Sequence, residues 1–171
     1  TRGGTGASTI AHNTAWCVAE GLKINTAIID LDLPFGTAAL NFNEDPGTGI
    51  ADALAAPERL DDVLLDRLLI KCGEHLSLFA APATVDRVYD ADPMAYESVI
   101  DQVRSGTPCV IVDLPHAWSQ WTRQTFVAAD EIVLVATPDL ASLRNTKNII
   151  DRHFKPLLES GNRRNWFFIV L

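Results

Sequence analysis

Near its start the chain reads Arg2-Gly3-Gly4-Thr5-Gly6-Ala7-Ser8-Thr9, three glycines in four positions followed by two hydroxyls. Glycines spaced this way let backbone N–H groups turn inward and let a ligand approach the main chain closely. A predicted helix begins directly afterwards, and its unpaired N–H groups and positive partial charge suit an anion. The chemistry this allows is phosphate binding. Ser8 and Thr9 can offer hydroxyls to a phosphate-bound Mg2+ and to a phosphate, or can simply cap the helix. The loop alone favours the site only modestly. Where the pattern GxxxxGK[ST] has its lysine this chain has Ala7, and Thr1 occupies the first glycine position.

Three carboxylates strengthen the case. Asp30 and Asp32 stand where Thr-Ala-Ile-Ile-Asp-Leu-Asp leaves a predicted strand, and Asp113 ends Cys-Val-Ile-Val-Asp. Residues just beyond the carboxyl ends of parallel strands line the ligand crevice of an α/β sheet. Phosphoryl transfer needs carboxylates there to hold the waters of Mg2+ and to orient an attacking water. Each aspartate alone reads as readily as a turn cap. Three at two strand ends, behind a glycine-rich loop, favour a site.

The elements that must position these groups alternate in type. Helical spacing of Ile10, Ala11, Ala15 and Val18 predicts a helix over 8–21, and the β-branched run at 26–31 predicts a buried strand. Further helices are predicted over 49–55, 57–72, 93–104, 120–129 and 139–158, and strands over 75–81, 109–114, 131–136 and 166–171. Alternating strands and helices imply an α/β fold with a mainly parallel sheet covered by helices on both faces. No repeat or linker interrupts the 171 residues, so a single domain is expected over 1–171. A glycine-rich turn normally follows a strand and a final strand normally leads onward. Both ends therefore read as truncated.

Composition bounds the function classes. The chain is 47% apolar and 21% charged, which excludes disorder as its main state. No apolar run approaches the roughly 20 residues of a membrane-spanning helix. Cys17, Cys72 and Cys109 are too far apart for a CxxC site and suit a reducing cytosol. His12, His75, His116 and His153 lack metal-ligand spacing and read as surface or core residues, His116 being the one worth mutating. The net charge of −8 argues against nucleic acid as a partner. Acidic residues crowd 41–101, 13 against 4 basic, whereas 144–164 holds 6 basic and 2 acidic, either two solvated faces or a partner surface.

Together these residues resemble the MinD/ParA superfamily of deviant-Walker P-loop ATPases. Arg-Gly-Gly-Thr-Gly-Ala-Ser-Thr is similar to its KGGxGK[ST]T loop. Ile-Ile-Asp-Leu-Asp-Leu-Pro-Phe-Gly resembles its switch I segment, and Val-Asp-Leu-Pro-His-Ala-Trp its switch II segment. Ala-Thr-Pro-Asp-Leu-Ala-Ser-Leu-Arg-Asn resembles its Thr-Pro stretch and following helix. The likeness runs from Arg2 to Leu171 and is strongest to the CpaE/TadZ branch of Tad (Flp-type) pilus assembly.

The resemblance implies roles residue by residue. The backbone of Gly3, Gly4, Thr5, Gly6 and Ala7 would cradle the phosphates of ATP or ADP, and Thr9 would touch the α-phosphate. Ser8 would ligate Mg2+, with Asp113 and Asp30 holding its hydration shell. Asp32 would position the attacking water. Arg2 stands where the family has its signature lysine, which reaches across a nucleotide-sandwiched dimer; it either keeps that role in part or is an exposed loop arginine.

Ala7 is the main departure, because loss of such a charge stabiliser costs on the order of 10²-fold or more in rate. The expectation is an ATP-dependent homodimer with weak or absent hydrolysis that assembles pilus proteins, cytoplasmic and recruited to the inner membrane or pole. The alternatives are an ATPase that cycles on and off its partner, a ParA-like DNA-partition ATPase, and a nucleotide-free scaffold.

Overall fold

A computed structural model describes residues 3–155 and 165–170. The chain divides into two compact units. One is Ser8–Trp121; the other joins the glycine-rich segment to the residues from Thr122 onward.

The first unit is organised around strand β1 (Thr26–Asp30), all five of whose residues are buried. Successive side chains of a strand point to opposite faces. Ala27 and Ile29 accordingly enter a core with residues of α3 (Gly49–Ala55) and α5 (Pro93–Gly106), while Ile28 enters a second core with Ala15 of α1 (Ala7–Trp16). A strand apolar on both faces is what a sheet covered by helices on both sides requires. β1 pairs in parallel with β3 (Leu76–Phe79) and with β4 (Cys109–Asp113). A two-residue strand, β2 (Ile70–Lys71), adds antiparallel to β3, giving the order β2-β3-β1-β4. The α/β class, the mainly parallel pairing and the helices on both faces agree with the sequence-based expectation.

The helix expected over 57–72 does not form as one element. Pro57–Arg59 is a 3-10 turn, and α4 starts afresh at Asp62–Leu68 because the Asp61 carboxylate accepts the Leu64 N–H at 2.7 Å. Ile70 and Lys71 then leave helical geometry to pair with Leu78 and Ser77 of β3. Ile70 continues the apolar helical spacing of the leucines before it, but edge pairing wins. α2 (Ala38–Asn41) is too short to show a period. In α5, the Asp92 carboxylate caps the first turn by accepting the Met94 N–H at 2.8 Å.

In the second unit, β5 (Glu131–Ala136) pairs in parallel with β6 (Asn165–Val170). Ile132 and Leu134 pack with Phe126 of α6 (Gln120–Ala128) and with Ala129, Ile149 and Ile150. α7 (Leu140–Ile149) is capped by Asp139, which accepts the Ala141 and Ser142 N–H groups at 3.0 and 2.9 Å. It continues as a π-helical turn, Ile150–Phe154, while the rest of the helix expected to 158 lies outside the described residues beyond 155. The basic stretch is partly neutralised within itself. The Asp151 carboxylate pairs with both Lys147 and Lys155, and the hydrogen bonds they donate, Lys147 foremost, lower its pKa to about 2. Cys17, Cys72 and Cys109 are free thiols. Among the described residues no helix is long and apolar enough to cross a membrane.

Candidate functional site

The glycine-rich loop has the backbone that its composition predicts. Gly4 and Gly6 take φ of +78° and +80°, with Thr5 between them outside the left-handed region. Glycine adopts such φ without steric cost, and alternation of this kind is how a loop can turn successive N–H groups toward an anion. Thr5 is 3% exposed, and nothing lies within 4 Å of where a Cβ on Gly3 or Gly4 would stand. α1 begins at Ala7, so Ser8 and Thr9 occupy its first turn; Ser8 is half-buried and Thr9 exposed. Arg2 lies outside the described residues.

The three carboxylates lie within Ser8–Trp121. Asp30 and Asp113 end adjacent parallel strands as register partners, and the Leu31 N–H donates to the Asp113 carbonyl at 3.0 Å. The two residues are 1% and 7% exposed, respectively. Asp30 also organises the loop that follows it. One carboxylate oxygen, Oδ1, accepts the Asp32 N–H and the other, Oδ2, accepts the Ala38 N–H at the start of α2, each at 3.1 Å. The carboxyl of Asp30 is pushed up to about 6, first by burial; the neighbouring Asp113 charge adds to the shift, and the two N–H donors oppose it. Asp30 therefore serves as a turn cap and as one of a pair of buried acids.

Asp32 sits two residues past the strand end, half-buried, with its carbonyl accepting the Phe35 and Gly36 N–H groups at 3.1 and 2.6 Å. Burial raises its carboxyl pKa, and the Asp113 charge adds to this. Gly36 is needed where the loop folds back. A Cβ there would stand 2.5 Å from Asp30 Oδ2 and 2.6 Å from the Ala81 Cβ.

By spacing alone His12 reads as a surface or core residue and His116 as the histidine worth mutating. The structure reverses that emphasis. His12 is 4% exposed and its Nε2 lies 3.3 Å from Asp113 Oδ2, whereas His116 is exposed. His12 follows Ser8 by four positions, so the two share a face of α1 one turn apart. That spacing is visible in the sequence. What lies opposite the face is not. Gly36, which ends the switch I-like segment, and Asn41 belong to this neighbourhood through Asp30 and His12.

The donor set fits Mg2+. Asp30 and Asp113 are hard oxygen donors side by side, and a cation beside Asp30 would relieve the cost of ionising a buried acid. Among the described residues no three His, Cys, Asp or Glu side chains gather to cage a metal. A cation completed by water and phosphate oxygens, as Mg2+ usually is, needs no such cage. A concavity of about 750 Å3 in the same unit, lined by Leu33, Leu54, Glu58, Tyr89 and Met94 among others, contains none of these carboxylates.

No family model matches the chain. Among curated proteins it is similar to the septum site-determining protein MinD of Synechocystis, at 24% identity over 153 residues, covering 87% of this chain and 55% of that protein. The chain thus spans about half the length of the curated relative. A ParA family ATPase from Chlorobium tepidum superposes with a TM-score of 0.78 at 27% identity, over 99% of this chain and 69% of the other. MinD of Pyrococcus horikoshii, solved in complex with Mg-ADP, gives 0.78 at 20% identity over 99% and 66%. The alternation of parallel strands and helices, the glycine-rich loop and these likenesses make the chain a MinD/ParA-like domain of the P-loop NTPase fold.

Proposed function

We propose that the chain is a nucleotide-dependent switch that binds Mg-ATP or Mg-ADP and hydrolyses ATP slowly. The observation that carries the reading is the register pairing of Asp30 with Asp113 at two adjacent strand ends. In this reading the N–H groups of Gly3–Ala7 bind the phosphates, and the Ser8 hydroxyl, Asp30 and Asp113 hold Mg2+ directly or through water. Bound Mg2+ neutralises phosphate charge. Thr9 reaches the α-phosphate. Asp32, at the mouth of a loop held by Asp30, orients a water for attack on the γ-phosphate. Ala7 supplies no charge where a lysine would stabilise the leaving phosphates, so turnover is slower by about 10²-fold or more than with that lysine. The γ-phosphate acts chiefly by ordering the segment that contains Asp32.

The biological setting rests on sequence resemblance. Arg-Gly-Gly-Thr-Gly-Ala-Ser-Thr, Ala-His-Asn and Asp-Leu-Asp-Leu-Pro-Phe-Gly-Thr-Ala-Ala-Leu are similar to the CpaE/TadZ branch of Tad pilus assembly proteins. The proposal is therefore a homodimer closed by ATP, with Arg2 facing the partner's phosphates, that recruits pilus machinery to the inner membrane or pole. Calorimetry of the full-length protein with Mg-ATP tests the core of it. Micromolar binding is expected, and absence of both ATP and ADP binding would overturn it. Rapid turnover that vanishes in Asp32→Ala would replace slow hydrolysis with a cycling ATPase. ATP-dependent retention on duplex DNA would favour the partition alternative.

A further inference from the structure

His12 does more than fill core. Its ring lies between two groups from separate parts of the first unit. On one side Asn41 Nδ2, at the end of α2, stands 2.9 Å from Nδ1. An amide NH2 only donates, so Nδ1 accepts and the ring proton sits on Nε2. On the other side Nε2 stands 3.3 Å from Asp113 Oδ2 but off the axis of a hydrogen bond, leaving a buried N–H without an aligned partner. Phe42, next to Asn41, packs its ring at 6.0 Å from the imidazole and restrains the ring further. A buried N–H without an aligned acceptor is costly, and the Asp113 carboxylate is the acceptor that stands beside it.

We propose that His12 is a positioning residue for Asp113. Through it the segment from Asp30 to Asn41 is tied to the Asp113 carboxylate. Asp30 holds the near end of that segment through the Asp32 and Ala38 N–H groups, and Asn41 holds the far end through His12. With Asp113 holding a hydrated cation, the Nε2–H would donate to the same carboxylate and restrain its orientation. This inference rests on the Mg-nucleotide reading above. Removing the N–H should therefore weaken the contribution of Mg2+ to nucleotide binding while leaving phosphate recognition by the loop alone.

The test compares the affinity of the full-length protein for a non-hydrolysable ATP analogue in Mg2+ and in EDTA, for wild type, His12→Leu, His12→Gln and Asn41→Ala. The Gln amide keeps an N–H near the Nε2 position. His12→Leu is expected to reduce the Mg2+-to-EDTA affinity ratio about tenfold, with EDTA affinity held within about twofold, because partners of metal-binding groups typically matter by 10–100-fold. His12→Gln should recover most of the ratio, and Asn41→Ala should lower it. Nitrogen NMR of the nucleotide-free protein should find His12 protonated at Nε2.

An unchanged ratio in His12→Leu, or equal losses with and without Mg2+, would overturn the proposal. So would an Nδ1-protonated ring. Should His12→Leu fail to fold, the Gln and Asn41 variants decide. A wild-type ratio in Asn41→Ala, or a lost ratio in His12→Gln, overturns it. Wild-type protein that binds no nucleotide in either buffer overturns the switch reading as well, whereas these other failures leave that reading standing.

Discussion

Replacing Gly36 by alanine tests whether Asp30 organises the segment that carries Asp32. The new methyl would stand 2.5 Å from Asp30 Oδ2, 2.8 Å from its Cγ and 2.6 Å from the Ala81 Cβ. Carbon atoms pack at about 3.5–4.0 Å, so Asp30 and the loop must part by roughly 1 Å. The Ala38 N–H bond to Oδ2, now 3.1 Å, would then pass beyond hydrogen-bonding reach. Losing a bond to a carboxylate costs about 1.5–3 kcal/mol, and residual overpacking about 1–3 kcal/mol, although relaxation makes the two overlap. We expect Gly36→Ala to lower the unfolding free energy by about 2–4 kcal/mol in urea denaturation followed by circular dichroism. Gly106→Ala is the control. No atom lies within 4 Å of its added Cβ, so its effect should stay within about 0.5 kcal/mol. If Gly36→Ala unfolds at the wild-type midpoint, the loop does not depend on the Asp30 latch and the reasoning fails.

Two further perturbations have definite outcomes. The Asp30 carboxyl, near 6 when folded against an ordinary 3.8, binds its proton more tightly in the folded protein. Its contribution to stability is thus complete below about 3.8 and lost as pH rises through about 6, with a ceiling of roughly 3 kcal/mol. Urea midpoints of nucleotide-free protein across that window should carry this component in wild type and lack it in Asp30→Asn. Identical pH profiles would refute it. Ala7→Lys restores the missing phosphate-facing charge and should raise ATP turnover by about 10²-fold in a phosphate-release assay; unchanged turnover would show that Ala7 does not limit hydrolysis.

The parts of the fold legible in the sequence are those whose local pattern and tertiary environment agree. The run Glu-Ile-Val-Leu-Val-Ala predicts a strand over 131–136, and β5 has those bounds, because an apolar β-branched run next to Asp130 and Thr137-Pro138 admits little else. β1 and β4 were likewise readable, and with them the placement of Asp30 and Asp113 at strand ends. Residues 57–72 misled because the helical leucine spacing of α4 runs on into Ile70, which pairs at the sheet edge once β3 is there to receive it. α2 escaped notice because four residues carry no period.

By itself the sequence determined the α/β class, the glycine-rich turn ahead of the first helix and the aspartates at two strand ends, since glycine spacing, strand composition and strand-end position are local properties. Only the tertiary structure decided which carboxylates meet. Asp30 and Asp113 are 83 positions apart, and parallel pairing in register makes them neighbours. It also decided that His12, one of four scattered histidines, is the one beside Asp113, and that Gly36 must lack a side chain. Each is a matter of what packs against a face, and a face acquires its neighbours only when distant segments close upon it.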